Sequence, residues 1–194
     1  MLLPIPVPLA PAPMPIRQAA PHDGFRAASP ALPVGWNDEM ITLSSWRDLG
    51  GNRPQSWLRE GGGLALRLPQ VPDGWPYQYQ WGGVTREAIV DLGRYPVLLA
   101  RVDDVHGYAH LDLEERATDG TPVRGRRTGA LTAPGLIRFD LGDEAKNARR
   151  LTLRLIVGGP NEGATATYRW VRFVSRETAD LIERNPDVRV HFVP

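Results

Sequence analysis

Cysteine is absent from all 194 residues, which removes disulfides, thiolate zinc sites and thiol nucleophiles together and leaves the redox compartment open. Lysine is nearly absent too: of the 23 basic residues only Lys146 is not an arginine. Basic and acidic side chains almost cancel, at a formal net charge of +1, so no global field recruits nucleic acid or an anionic membrane. No apolar run reaches the ~20 residues that a membrane-spanning helix needs. Signatures of chemistry are missing as well. The glycine run Gly61–Gly63 leads into Leu64–Leu68, which has a strand pattern, whereas a phosphate cradle needs a following helix. No GxSxG elbow occurs. Glu114 and Glu115 are adjacent, so on a strand they point to opposite faces and cannot oppose each other across a cleft as glycoside hydrolysis requires. The expectation is a non-catalytic protein with no cofactor.

What is present is a succession of strands, organised around Tyr95–Glu115. Val97 to Val105 is nearly continuous apolar sequence, which suits a strand covered on both faces. After a tight turn at His106-Gly107 the pattern alternates, with Ala109, Leu111 and Leu113 on one face and Tyr108, His110, Asp112 and Glu114 on the other. The same design predicts strands over Glu39–Trp46, Val84–Leu92, Leu136–Leu141, Leu151–Val157 and Ala164–Val174, and a hairpin over Trp57–Leu68 turning at the three glycines. Ser45 to Pro54 reads as a loop, Gly142 to Arg150 as a polar connection, and Thr118 to Gly129 as a loop or short hairpin. A short helical turn fits Arg176–Arg184 before Pro186, and Val188–Val193 fits a terminal edge strand. The fold class expected is all-β, a two-sheet antiparallel β-sandwich of the jelly-roll type spanning residues 35–175, with a C-terminal segment over 176–194.

Residues 1–34 form a separate zone that holds nine of the 19 prolines. Pro4, Pro6, Pro8, Pro11, Pro13 and Pro15 rule out helix and favour an extended polyproline arm. Between them stand apolar residues, Leu2, Leu3, Ile5, Val7, Leu9, Met14 and Ile16, with no charge before Arg17, where an ordinary linker would be polar. Such an arm suits docking into an extensive groove, on a partner protein or on its own domain.

Three further groups are candidate sites. In Gly74–Gly83 an extended chain places Trp75, Tyr77, Tyr79 and Trp81 on one face and Gln78 and Gln80 on the other, a row suited to stacking on sugar rings or docking on protein, or to filling a sheet corner. Arg124, Arg126 and Arg127 put three charges close together, for a phosphate or carboxylate or simply for solvent. His106, His110, Asp104 and Asp112 resemble a metal cluster, yet on strands only His110 and Asp112 share a face, so no zinc site is expected. Asp103, Asp104, Asp140, Asp143 and Glu144 suit structural calcium by oxygen chemistry, against the plainer reading of solvated turn carboxylates.

The order of features from VTREAIVDLGRYPVLLARV through GYAHLDLEE, LIRFDLG and LTLRLIVGG to TYRWVRFV resembles the galactose-binding-like jelly rolls of carbohydrate-binding modules, over roughly residues 37–175. That resemblance implies ligand binding without catalysis, often in a secreted protein. Two functions follow. In the first the chain is a structural or accessory subunit, anchored by its arm to protein subunits of a larger assembly on an extracytoplasmic or membrane-peripheral surface, such as a photosynthetic or respiratory complex. In the alternative it is a carbohydrate-binding module stacking glycan on the aromatic row.

Overall fold

Alternation of apolar and polar side chains closes two antiparallel sheets onto one another. The computed structural model describes residues 32–51, 54–71, 79–117, 119–143, 150–160 and 163–193. In chain order the elements are β1 (Leu32–Val34), β2 (Trp36–Asp38), β3 (Arg47–Gly51), β4 (Gln55–Leu58), β5 (Leu64–Leu68), β6 (Tyr79–Ile89), β7 (Val97–His106), β8 (Tyr108–Arg116), β9 (Pro122–Arg127), β10 (Gly135–Asp140), β11 (Arg150–Pro160), β12 (Ala164–Val174), α1 (Arg176–Arg184) and β13 (Val190–Phe192). One sheet runs β10-β7-β12-β5-β4, with β2 also paired to β12. The other has five strands in the order β3-β6-β11-β8-β9. The fold is an all-β sandwich.

Between the sheets, Leu111 and Leu113 of β8 and Leu151, Leu153, Leu155 and Val157 of β11 meet Leu64, Leu66 and Leu68 of β5, Leu98 and Ala100 of β7, and Tyr168 and Phe173 of β12. A hydroxyl crosses this core between the sheets. The Tyr168 hydroxyl lies 2.8 Å from the His110 carbonyl and 2.6 Å from the Ile156 carbonyl and donates between them, tying β12 of one sheet to neighbouring strands of the other. Burial pushes its ionisation far up, so it stays a neutral donor.

A second, smaller core lies on the far side of β7 and β12. Val97, Leu99, Trp170 and Val174 are covered there by Ala179 and Ile182 of α1 and by Val34 of β1. This accounts for the unbroken apolar run of β7, whose residues Val97 to Ala100 are all buried. Ser175 caps the helix by accepting a hydrogen bond from the Thr178 amide at 3.1 Å. Leu32–Val34, the last residues of the Pro-rich zone, pair in parallel with β13 and so belong to the fold.

Two expected elements differ. The strand anticipated over Glu39–Trp46 does not form: the Met40 amide donates to Asp38 Oδ1 at 2.8 Å, the Ser44 amide to Thr42 Oγ1 at 3.3 Å, and the Trp46 amide to the Leu43 carbonyl at 2.9 Å. Local polar side chains thus capture the amides a ladder would need. The strand forms one step later, at Arg47–Gly51, inside the stretch expected to be a loop. The His106-Gly107 turn joins β7 to β8 across the sandwich, each strand in its own sheet. Gly107 has φ 92°, and a Cβ there would collide with the Gly158 carbonyl.

Tyr168→Phe removes the one hydroxyl that crosses the core and leaves two buried carbonyls without it. A destabilisation of about 1–3 kcal/mol is expected in chemical denaturation, with the native circular dichroism spectrum unchanged.

Candidate functional site

Among the described residues, α1, β1 and β13 pack over one side of the sandwich, and the outer face of the five-stranded sheet carries no such element. Its side chains are fixed by register. Since Leu151, Leu153, Leu155 and Val157 point inward, the alternate residues of β11 point outward, and the pairing carries that choice to β6 and β8.

At one end of this face Gly158 pairs with Trp81 on one side and Tyr108 on the other. Trp81 is exposed over half of its surface. The Tyr108 ring lies down across Gly158, where any Cβ would strike it, and it stacks on His110 with ring centroids 5.7 Å apart and planes at 17°. Gly83, in the next row, cannot carry a Cβ either, because the Leu155 carbonyl occupies that space. Two aromatics therefore flank a floor of glycine across three strands, with Cα atoms of the outer pair roughly 10 Å apart from two interstrand spacings.

Further along, one polar row crosses all five strands in register: Arg47, Thr85, Arg154, Asp112 and Arg127. Arg127 grips Asp112 with two hydrogen bonds, at 2.8 and 3.2 Å, and His110 Nε2 lies 3.3 Å from the same carboxylate. Burial alone would push the Asp112 carboxyl up, but the adjacent His110 imidazole and the bonds from Arg127 outweigh it and bring the carboxyl down to about 2. Glu114 is shared by Arg154, at 2.6 Å, and Arg116, which also donates to Thr152 Oγ1 at 2.9 Å. A depression of about 370 Å³ lies among Asp112, Arg127 and Arg154. Another, of about 530 Å³, lies among Ser45, Arg47, Thr85, Glu87, Arg116 and Thr152.

Of the aromatic row expected from sequence, Trp81 stands on this face, Tyr79 opens β6 opposite Pro160, and Trp75 and Tyr77 lie outside the described residues. Gln80, between the two, turns inward and donates to the Pro69 carbonyl at 2.8 Å. The arm residues Leu2, Leu3, Ile5, Val7, Leu9, Met14 and Ile16 also lie outside the described residues. Arg124, Arg126 and Arg127 sit on β9, the second strand of a hairpin with β8, and do not act together. Arg126 turns inward to a carboxylate of its own chain, Glu115 at 2.7 Å, and to the Leu141 carbonyl at 2.9 Å. The carboxylates weighed for calcium are taken by arginines: Asp103 by Arg101, Asp104 by Arg59, and Asp140 and Asp143 by Arg176. Glu144 lies outside the described residues, and among those described no three His, Asp or Glu side chains gather as a metal site. No helix among them is long and apolar enough to cross a membrane.

Tyr108, Gly158 and the Arg154 row were not singled out from sequence. The signal was there in the alternation of Tyr108, His110, Asp112 and Glu114, but which strands lie beside β8 had to be known to assemble it.

No family model and no curated protein matches the chain. Solved structures similar to it include β-sandwich carbohydrate-binding modules, as the order of strands implied. One is a family 6 module of Clostridium stercorarium in complex with cellobiose, at 15% identity over 76% of this chain and 98% of that one, with a TM-score of 0.41. Another is TmCBM27, a module described by its specific mannan recognition, at 11% identity over 74% and 97%, TM-score 0.42. The enzymatically active domain of a bacteriophage CBA120 tailspike protein is similar at 12% identity and a TM-score of 0.47, with 70% of this chain spanning 20% of that one. These likenesses are of strand arrangement and assign no residue of this chain.

The Asp112 network predicts an acid-sensitive term in stability. A native carboxyl at about 2 against an ordinary 3.8 binds protons more weakly than the unfolded chain does, so it stabilises the fold above about pH 4 and the contribution is lost as pH falls toward about 2. Denaturation series across that range are expected to show the loss in the parent protein and a flatter profile in Asp112→Asn.

Proposed function

We propose that the chain is a non-catalytic glycan-binding β-sandwich whose ligand lies on the outer face of the five-stranded sheet. The observation that carries this reading is the row Trp81, Gly158, Tyr108. A half-exposed indole and a phenol laid flat over glycine offer apolar surface at low entropic cost, which suits the C–H faces of pyranose rings. Beside them, guanidinium, carboxylate and threonine side chains held in place by mutual hydrogen bonds present donors and acceptors for sugar hydroxyls.

The state of the carboxylates supports the absence of catalysis. A glycosidase acid needs its ionisation raised. Asp112 is shifted down instead, and Glu114 is clamped between two arginines.

Attachment to a protein partner is favoured by a different observation. Among the described residues β4 is a free edge of its sheet, exposed at all four positions, with Trp57 and Leu58 outward enough to meet another surface. The two readings are compatible, because the edge and the glycan face belong to different sheets.

In affinity electrophoresis against a panel of soluble polysaccharides, the protein is expected to be retarded by at least one. Trp81→Ala should weaken that interaction at least about tenfold with circular dichroism unchanged. Gly158→Ala should weaken it as well by lifting Tyr108 off the sheet. Unaltered retardation of Trp81→Ala, or no retardation of the parent by any glycan, would sink the reading. Reproducible stoichiometric protein partners in gentle native purification, lost on deletion of residues 1–31, would establish the attachment role.

A further inference from the structure

We infer that the glycan taken by this face is an acidic one, with its carboxylate or sulfate groups seated at Arg47 and Arg150; this rests on the glycan-binding reading above. The charge of the face carries the inference. Its outward positions hold Arg47, Arg116, Arg127, Arg150 and Arg154 against Glu87, Asp112 and Glu114. Five positive groups against three negative leave +2 on one sheet face, where the entire chain carries +1.

The excess divides evenly: three arginines against Asp112 and Glu114 leave +1, and Arg47 with Arg150 against Glu87 leaves the other +1. Arg116, Arg127 and Arg154 are spent on Glu114 and Asp112. Arg47 and Arg150, both exposed, have no ion-pair or hydrogen-bond partner among the described residues. They stand on strands either side of β6, each diagonal to Glu87: Arg47 pairs with Thr85 in the middle row, and Arg150 with Ile89 at the end of the face remote from Trp81. The depression of about 530 Å³ lies here, and Ser45 Oγ, buried in its wall, has no hydrogen-bond partner. Arg47 lines this groove and Arg150 stands outside its lining, and neither guanidinium group has a partner among the described residues. The planar fork of arginine matches a carboxylate or sulfate with two parallel hydrogen bonds, a geometry a neutral hydroxyl cannot complete. Glu87, the remaining carboxylate, accepts from sugar hydroxyls between the two anion positions. Along β6 the distance from Trp81 to Glu87 is six residues, roughly 20 Å, so a ligand engaging both ends is an oligosaccharide and not a single terminal sugar.

Matched pairs of polymers that differ only in charge separate this inference from the one it rests on. Polygalacturonate and its methyl-esterified form, and heparin and its desulfated form, are titrated against the full chain by calorimetry. The acidic member of at least one pair is expected to bind about tenfold tighter than its neutral counterpart. Raising sodium chloride from roughly 0.05 to 0.5 M should erase the difference. The double variant Arg47→Ala and Arg150→Ala, at two exposed positions, should lose the preference and keep the neutral affinity, while Trp81→Ala weakens both members alike. Equal binding within each pair, or a charge preference that survives the double variant, overturns the inference and leaves glycan binding standing. Failure of every glycan, in these pairs and in the neutral panel, overturns both.

Discussion

One hydroxyl inside the sandwich holds the working face in register. Tyr168 reaches from β12 to the carbonyls of His110 and Ile156, residues that pair with each other across β8 and β11. Those two strands supply the centre of the open face. A slip of β8 by one residue would send Leu111 and Leu113 to solvent and fold Asp112 and Glu114 into the core. Apolar packing makes the two sheets adhere; the hydroxyl, being directional, resists sliding of one pair of strands against the other. The aromatic row lies one step beyond the clamped pair, and the Asp112–Arg154 pairing one step before it.

The outer face depends on what is missing as much as on what is there. Gly158 offers no Cβ, and that lets the Tyr108 ring lie flat across it. Arginine then does most of the polar work, partly by holding carboxylates in fixed positions. Glu114, shared by two guanidinium groups, cannot swing away, and Asp112 is kept ionised between His110 and Arg127. The arrangement is pre-formed, so a ligand bound there would meet a low ordering cost.

The sandwich was legible in the sequence where side-chain alternation was uninterrupted, as in β8, and the helix over Arg176–Arg184 was placed with the right limits. Legibility failed at Glu39–Trp46, where Asp38 and Thr42 hold backbone amides that apolar pattern alone assigns to a ladder. It failed again for Arg126, whose charge said surface while its register with Leu113 turned it inward to Glu115. At the candidate site, Trp81 stood out as an aromatic in a suggestive row. Tyr108 did not, because its significance lies in Gly158, fifty residues away in sequence and adjacent in the sheet. Contacts of that kind are set by strand order, which alternation does not encode.

The parallel pair β1–β13 and helix α1 lie together on the back of the six-stranded sheet, over Val97, Leu99 and Trp170. Both ends of the described chain therefore leave from the side opposite Trp81. Leu32 and Val193 thus lie behind the sandwich, and the face that carries Trp81 and Tyr108 is turned the other way, like the palm of a hand whose wrist is fastened elsewhere.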